Sequence, residues 1–376
     1  MNDSPRAPWV DWTADERAHR QADIAQGLDL LGHPLRWALV AVLVVAWLGL
    51  PLVVNGFALK LLVYVGIAAI GAIGLNLLSG NAGQVSLGQP FFMGLGVYAA
   101  AVLGGDFGWP LPLWLAACAL LGAAVGALAG PFALRLRGNY LVMVTIALVF
   151  IGNHVFNNWI AVTGGPGGRP ITPTLAIAGF DLGEGSFKDR RFAWFTWLLV
   201  ALAALAVFNL LRSRTGRALQ AIRDRDLTAE VLGIDLARHK VGAFAVSSAL
   251  AALGGGLYGA YVGFASPAEW TLSLAIQYLA MVIVGGTGSV LGSILGAGVI
   301  VCLPHLTQAG VAALPFAGGL ISQSPGDGGY VSVFALNQIL FGLLIVIFLT
   351  AAPRGLAALV AGAWQRLEKP LPRRPQ

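Results

Sequence analysis

FAWFTWLLVALAALAVFNLL, Phe192 to Leu211, runs into RSRTGRALQAIRDRDLTAEVLGIDLARHK, Arg212 to Lys240, and out again into VGAFAVSSALAALGGGLYGAYVGF, Val241 to Phe264. Each flank is long and apolar enough to cross roughly 30 Å of hydrocarbon at about 1.5 Å per helical residue. The segment between them holds seven of the chain's 23 Lys and Arg residues. Basic residues in a short loop between two spans mark the cytoplasmic side. The whole chain fits that reading, being 57% hydrophobic and 11% charged with 50 glycines. Its mean hydropathy of +0.77 lies outside the range of soluble domains. The expected fold class is an all-α polytopic membrane protein.

Working outward, ten apolar runs are predicted to span: Trp37 to Val54, Phe57 to Leu78, Gly88 to Gly104, Leu111 to Gly130, Tyr140 to Val162, Phe192 to Leu211, Val241 to Phe264, Leu272 to Gly285, Val290 to Leu303 and Val331 to Ala351. The third, eighth and ninth are short. With the N-terminus inside, an even count also puts the C-terminus inside. The basic residues of the extension 1–36, Arg135 and Arg137, the Arg212 to Lys240 loop and the tail 352–376 then share the cytoplasmic side. Arg169, Lys188, Arg190 and Arg191 fall in a long external loop that also carries Asp181, Glu184 and Asp189, and Lys60 starts the second span. The domain reading is a cytoplasmic extension over 1–36, a transmembrane domain over 37–351 and a basic tail over 352–376.

Several function classes lose support. A net charge of +6 invites nucleic acid, but the charge is spread over loops beside spans, where anionic lipid headgroups attract it. Cys118 and Cys302 both sit in apolar runs and read as core packing. The extension has no contiguous apolar run before the first span, so no cleaved signal peptide is expected. His154 has no partner at metal spacing, and Ser86 lies in no G-x-S-x-G elbow. No catalytic residue, metal or cofactor is expected, and the chain does not read as an enzyme.

Small residues at helical spacing, Gly122, Gly126 and Gly130, or Gly292, Gly296 and Gly298, allow close helix approach in lipid, where packing replaces the hydrophobic drive. Two glycine-rich breaks fall at apparent membrane depth, SGNAGQVSLG from Ser79 to Gly88 and GGTGSVLG from Gly285 to Gly292. Irregular backbone there requires protein or a water-filled cavity to satisfy it. They share a loose G-x-V pattern that either duplication or chance could give. Asn76, Gln84, Ser86, Gln89, Asn153, His154, Asn157, Gln277, Asn337 and Gln338 are polar residues within spans. They either line a path for a small polar solute or bond neighbouring helices. Asn76, Gln84, Ser86, Gln89, Asn153, His154 and Gln277 are the pathway candidates.

Within the basic loop, Asp226 is predicted to cap a short helix ended by Gly233 in the left-handed region. Leu227, Val231 and Ile234 fall on one face at i, i+4 and i+7. That apolar ridge suits a groove on another protein, or a helix lying flat on the inner leaflet.

GLNLLSGNAGQVSLGQPFFMGLGVY from Gly74 to Tyr98 resembles the signature of bacterial branched-chain amino acid ABC transporter permeases of the LivM type. TGRALQAIRDRDLTAEVLGID, Thr215 to Asp235, is similar to that family's ATPase-coupling loop, with Ala229, Glu230 and Gly233 at its A-E-x-x-G core. ALRLRGNYLVMVTIAL from Ala133, TGGPGG from Thr163, VGGTGSVLGSILGA from Val284 and APRGL from Ala352 follow in the family's order. The resemblance implies an ABC importer permease bundle in the bacterial inner membrane. Its partners would be a second permease of the LivH kind, two ATP-binding subunits, an external solute-binding protein and membrane lipid. Leu227, Ala229, Glu230, Val231, Gly233 and Ile234 would carry the coupling. The chain has no G-x-x-x-x-G-K-[ST] phosphate loop, in keeping with a separate ATPase. Related permeases move urea or sugars. A secondary carrier driven by an ion gradient would instead need a buried acid, and Asp106 and Glu269 read as external.

Overall fold

The computed structural model of the protein describes residues 49, 51–54, 56–134, 140–177, 180–181, 188–313, 321–322, 331–351 and 355–359. The extension 1–36, nearly all of the first predicted span, Arg135, Arg137, most of the Gly318 to Gly329 segment and nearly all of the tail lie outside the described residues. The helices belong to the unit Asn55–Gln376.

In chain order they are α1 (Gly56–Asn76), α2 (Gln89–Ala99), α3 (Leu111–Leu134), α4 (Tyr140–Asn158), α5 (Ile160–Thr163), α6 (Lys188–Arg212), α7 (Arg214–Asp224), α8 (Asp226–Val231), α9 (Leu236–Val262), α10 (Leu272–Gly285), α11 (Val290–Ala313) and α12 (Val333–Ala351). Among the described residues six helices are long and apolar enough to cross a membrane, and Leu272–Gly285 and Ala335–Thr350 are shorter apolar helices. The protein is an integral membrane protein built of α-helices.

The six long and two shorter apolar helices are fewer than the ten predicted spans, the first of which lies almost wholly outside the described residues. The predicted third span is α2 followed by a π-helical turn, Ala100–Asp106. That turn changes the hydrogen-bond register and interrupts the regular helix. The ninth, expected to be short, is instead among the long ones, extending as a candidate span over Val290–Gly310. A second π-helical turn, Leu77–Asn81, ends α1 at the first glycine-rich break.

α9 is the central helix, packed against α3, α2 and α1, while α1 also meets α6 and α11 and α10 lies on α11. Glycine sets these distances. A Cβ at Gly255 would land on the Met93 carbonyl and one at Gly96 on the Ala252 carbonyl, so the α2 and α9 backbones touch. Gly122 and Gly126 face Ser248 at 2.5 Å in the same sense, and Gly130 faces Val241, so the predicted stripe on α3 is its contact face with α9. Of the second stripe, Gly292 and Gly296 abut the backbone of α10, whereas Gly298 has only Val65 Cγ1 at 3.9 Å. With lipid as apolar as any core, this close approach supplies the dispersion contacts that hold the bundle.

Indole donors lock the outer elements. Trp197 Nε1 donates to the Leu62 carbonyl at 3.1 Å, tying α6 to α1, and Trp114 Nε1 donates to the Thr174 carbonyl at 3.1 Å. Cys118 is buried in α3, its sulfur against the Gly96 carbonyl. At the end of the bundle remote from the basic loop, strand β1 (Arg169–Pro170) pairs antiparallel with a strand at Phe264–Ala265. Arg169 Nη2 there meets Asp106 Oδ1 at 2.6 Å.

A candidate translocation pathway and coupling surface

The basic loop folds as two helices. Ser213 Oγ caps α7 by accepting from the Gly216 amide. Gly216, Leu219 and Ile222 are buried at spacings of three, so α7 turns one apolar face to the bundle. α8 follows after a break at Arg225, which takes an extended conformation and is the residue before the helix. Asp226, expected to be the cap, is therefore the first helical residue, and its carboxylate instead accepts from Lys240 Nζ at 2.7 Å. That pair anchors α8 to the start of α9. Gly233 ends α8 at φ +80°, with its amide on the Glu230 carbonyl at 2.9 Å and the Ile234 amide on the Ala229 carbonyl at 3.0 Å.

The loop presents an apolar ridge away from the protein. Leu227 is 65%, Val231 88% and Leu232 73% exposed, whereas Ala229 is 1% exposed and faces inward. Ile234 is half-buried and Glu230 exposed.

Above α7 the two glycine-rich breaks meet. Asn76 Nδ2 donates to the Ser289 carbonyl and to Ser293 Oγ, both at 2.7 Å, and Asn76 Oδ1 accepts from the Gly288 amide at 2.7 Å. One buried side chain thus ties the end of α1 to the start of α11. Gly83 (φ +68°) and Gly288 (φ +86°) both lie against Arg223 of α7, whose Cγ stands 3.2 Å from where a Gly83 Cβ would be. The APRGL stretch also reaches this junction, because a Cβ at Gly355 would land on the Gly286 backbone.

Farther along the same helices a cavity of about 310 Å³ opens between α1, α2, α9, α10, α11 and α12. Tyr64, Tyr258, Trp270 and Tyr278 supply aromatic walls, and Met93, Met281, Ile300 and Phe341 supply apolar ones. Its polar lining includes Gln277, His305 and Glu269. Ala68 lines it, and Asn76 lies eight residues on, roughly 12 Å at 1.5 Å per residue. The junction therefore lies between the cavity and the basic loop.

Glu269 follows α9 in a short turn, Pro267–Glu269, and is half-buried rather than the solvent-facing acid its sequence position suggested. Burial holds its carboxyl above the usual carboxylate range, and the Tyr258 hydroxyl opposes that rise. Its Oε2 is buried with no hydrogen-bond partner.

The sequence-predicted residues separate into three places. Gln277 lines the cavity. Asn76, Gln84, Ser86 and Gln89 are buried in and beside the junction, where Gln89 Nε2 donates to the Gly71 carbonyl at 2.8 Å and Ser86 Oγ accepts from the Gly88 amide. Asn153 and His154 lie on α4 and line neither, Asn153 reaching only as far as the turn that carries Glu269. Asn153 Nδ2 donates to the Pro267 carbonyl at 3.0 Å, and His154 is exposed beside Asn158. Sequence reasoning missed Glu269, Tyr258 and Trp270. The signal for Glu269 was an acid next to tryptophan, SPAEW, between two spans.

Residues 57–352 match the family described as branched-chain amino acid transport system, permease component. The high-affinity branched-chain amino acid transport system permease proteins LivM of Salmonella typhimurium and Escherichia coli are each 32% identical over 289 residues, covering 71% of this chain and 67% of the relative. LivH of Escherichia coli is 27% identical over 247 residues, 61% of this chain and 77% of that one. No solved structure matches significantly.

Proposed function

Because this chain belongs to the family of branched-chain amino acid permease components, we propose that it is one permease half of an ABC importer that carries leucine, isoleucine and valine across the bacterial inner membrane. In this reading a second, LivH-like permease completes the path, two ATP-binding subunits drive it, and an external solute-binding protein feeds it. The chain spans ten times with both termini in the cytoplasm. The exposed ridge of Leu227 and Val231, with Glu230 beside it, seats in a groove of an ATP-binding subunit. Closure of the ATPases on ATP pushes α8. Lys240 transmits the push to α9 and Arg223 to the junction, and the spans rock between outward and inward openings. The permease supplies a gated path and no bond chemistry.

The observation that carries this reading is that one family match, residues 57–352, takes in the cavity, the junction and the basic loop together. The apolar and aromatic cavity lining supports a solute with a branched apolar side chain over urea or a sugar. The test is uptake of labelled leucine into proteoliposomes holding this chain with its partner permease, ATPases and binding protein. Uptake that requires internal ATP and the binding protein is expected. Uptake that follows an ion gradient without ATP would overturn the mechanism, and ATP-driven uptake of urea or a sugar in place of leucine would overturn the substrate.

A further inference from the structure

Glu269 stands at the wall of the cavity in a setting that costs free energy. Among the described residues its Oε2 is buried without a hydrogen-bond partner, and no Lys or Arg lines the cavity. The Tyr258 hydroxyl is a polar neighbour of the carboxyl. Aromatic residues, Tyr64, Tyr258, Trp270 and Tyr278, line the same cavity. The rings of Tyr258 and Trp270 meet edge to face at 5.8 Å, and those of Tyr64 and Tyr258 lie 6.2 Å apart. A carboxylate in such a place is disfavoured until a cation joins it. A cation held over the face of any of these rings would be favoured further.

We propose that this cavity is a transit site for the amino-acid cargo, in which Glu269 takes the α-ammonium group within the cage of Tyr64, Tyr258 and Trp270. The inference rests on the import reading above and names how the cargo is read. The branched side chain then lies against Met93, Met281, Ile300 and Phe341. Glu269 is thus a specificity-determining residue. It selects molecules that carry both an ammonium and an apolar body, and it rejects urea, which has no charge to pair. Because the acid is partly desolvated rather than already paired, its attraction is spent on the cargo and not on a protein cation.

The experiment uses the complete transporter in proteoliposomes, with uptake of labelled leucine normalised to assembled complex by the co-purified ATP-binding subunit. Wild type, Glu269→Gln and Glu269→Asp are compared. A lost charge-assisted contact is expected to lower Glu269→Gln uptake about tenfold or more. Glu269→Asp, which keeps the charge, should retain most of it. Wild-type uptake by Glu269→Gln would overturn the proposal. So would equal loss in both variants, because the charge would then not be what matters. Absence of ATP-driven leucine uptake by wild type would instead contradict the import reading itself.

Discussion

Asn76 and Gly288, 212 residues apart, are joined by a 2.7 Å hydrogen bond from the Gly288 amide to Asn76 Oδ1. The same side chain also reaches Ser289 and Ser293, so two broken segments far apart in the chain share one knot. Irregular backbone at membrane depth has no water to satisfy it, and here a single amide does so from both of its ends. Replacing Asn76 by Leu strands these groups at about 1–3 kcal/mol for each one left unsatisfied. The purified complex carrying Asn76→Leu is expected to melt several degrees lower. Ser293→Ala should cost less, because the Ser289 carbonyl keeps its bond from Asn76.

The contact between α2 and α9 predicts a sharp contrast between two glycines of one helix. Gly255→Val must push its Cβ into the Met93 carbonyl, where backbone cannot yield, and overpacking of this kind costs about 1–3 kcal/mol or more. Gly242 has nothing within 4 Å of its Cβ position, and alanine there is expected to be neutral or to stabilise by up to about 1 kcal/mol. Yield of monodisperse protein from membranes, compared across the two variants, checks this.

Glu269 predicts a pH dependence of opposite sign to that of a paired acid. Its carboxyl is held above the usual range, so between the ordinary value and the raised one the folded protein keeps a proton that the unfolded chain has released. Stability therefore falls as pH rises through that window. Glu269→Gln removes the loss, and its melting temperature is expected to exceed that of wild type near neutral pH. Below about pH 4, where the acid is protonated in both states, the two curves should converge. A variant that melts lower than wild type at neutral pH would show the carboxylate to be stabilising.

Much of this arrangement was legible in the residues. Gly122, Gly126 and Gly130 recur at one helical face, and that face is the one pressed against α9. Both glycine-rich breaks could be read from SGNAGQVSLG and GGTGSVLG. Their meeting through Asn76 could not, because no periodicity links residues more than 200 positions apart. The π-helical turn after Ala99 was hidden for a different reason. It is a change of hydrogen-bond register, and AAVLGGD has no proline, its one charge, Asp106, falling only at the last position. Glu269 was passed over because it sits at the external end of a span, whereas the turn after Ser266 brings the acid to the cavity wall beside Tyr258. Asp226 has the chemistry of a cap, but Lys240, one helix later, outcompetes the backbone for its carboxylate.

The Asp226 and Lys240 pair is half-exposed, so its worth in stability is small, about 0–1 kcal/mol. Its larger effect is on where α8 points. Asp226→Ala is expected to leave melting nearly unchanged while lowering the leucine moved per ATP hydrolysed, and Lys240→Ala should match it. A double variant no worse than either single change would show that both act through this one contact.

The account turns on the ridge of α8 being where ATP hydrolysis enters the permease. Val231 is 88% exposed, so Val231→Asp disturbs nothing inside the chain and only spoils an apolar seat on a partner. The measurement is the number of leucine molecules imported per ATP hydrolysed in proteoliposomes of the full transporter, wild type against Val231→Asp. The account predicts that this ratio collapses while the variant still inserts and melts like wild type. An unchanged ratio would contradict it.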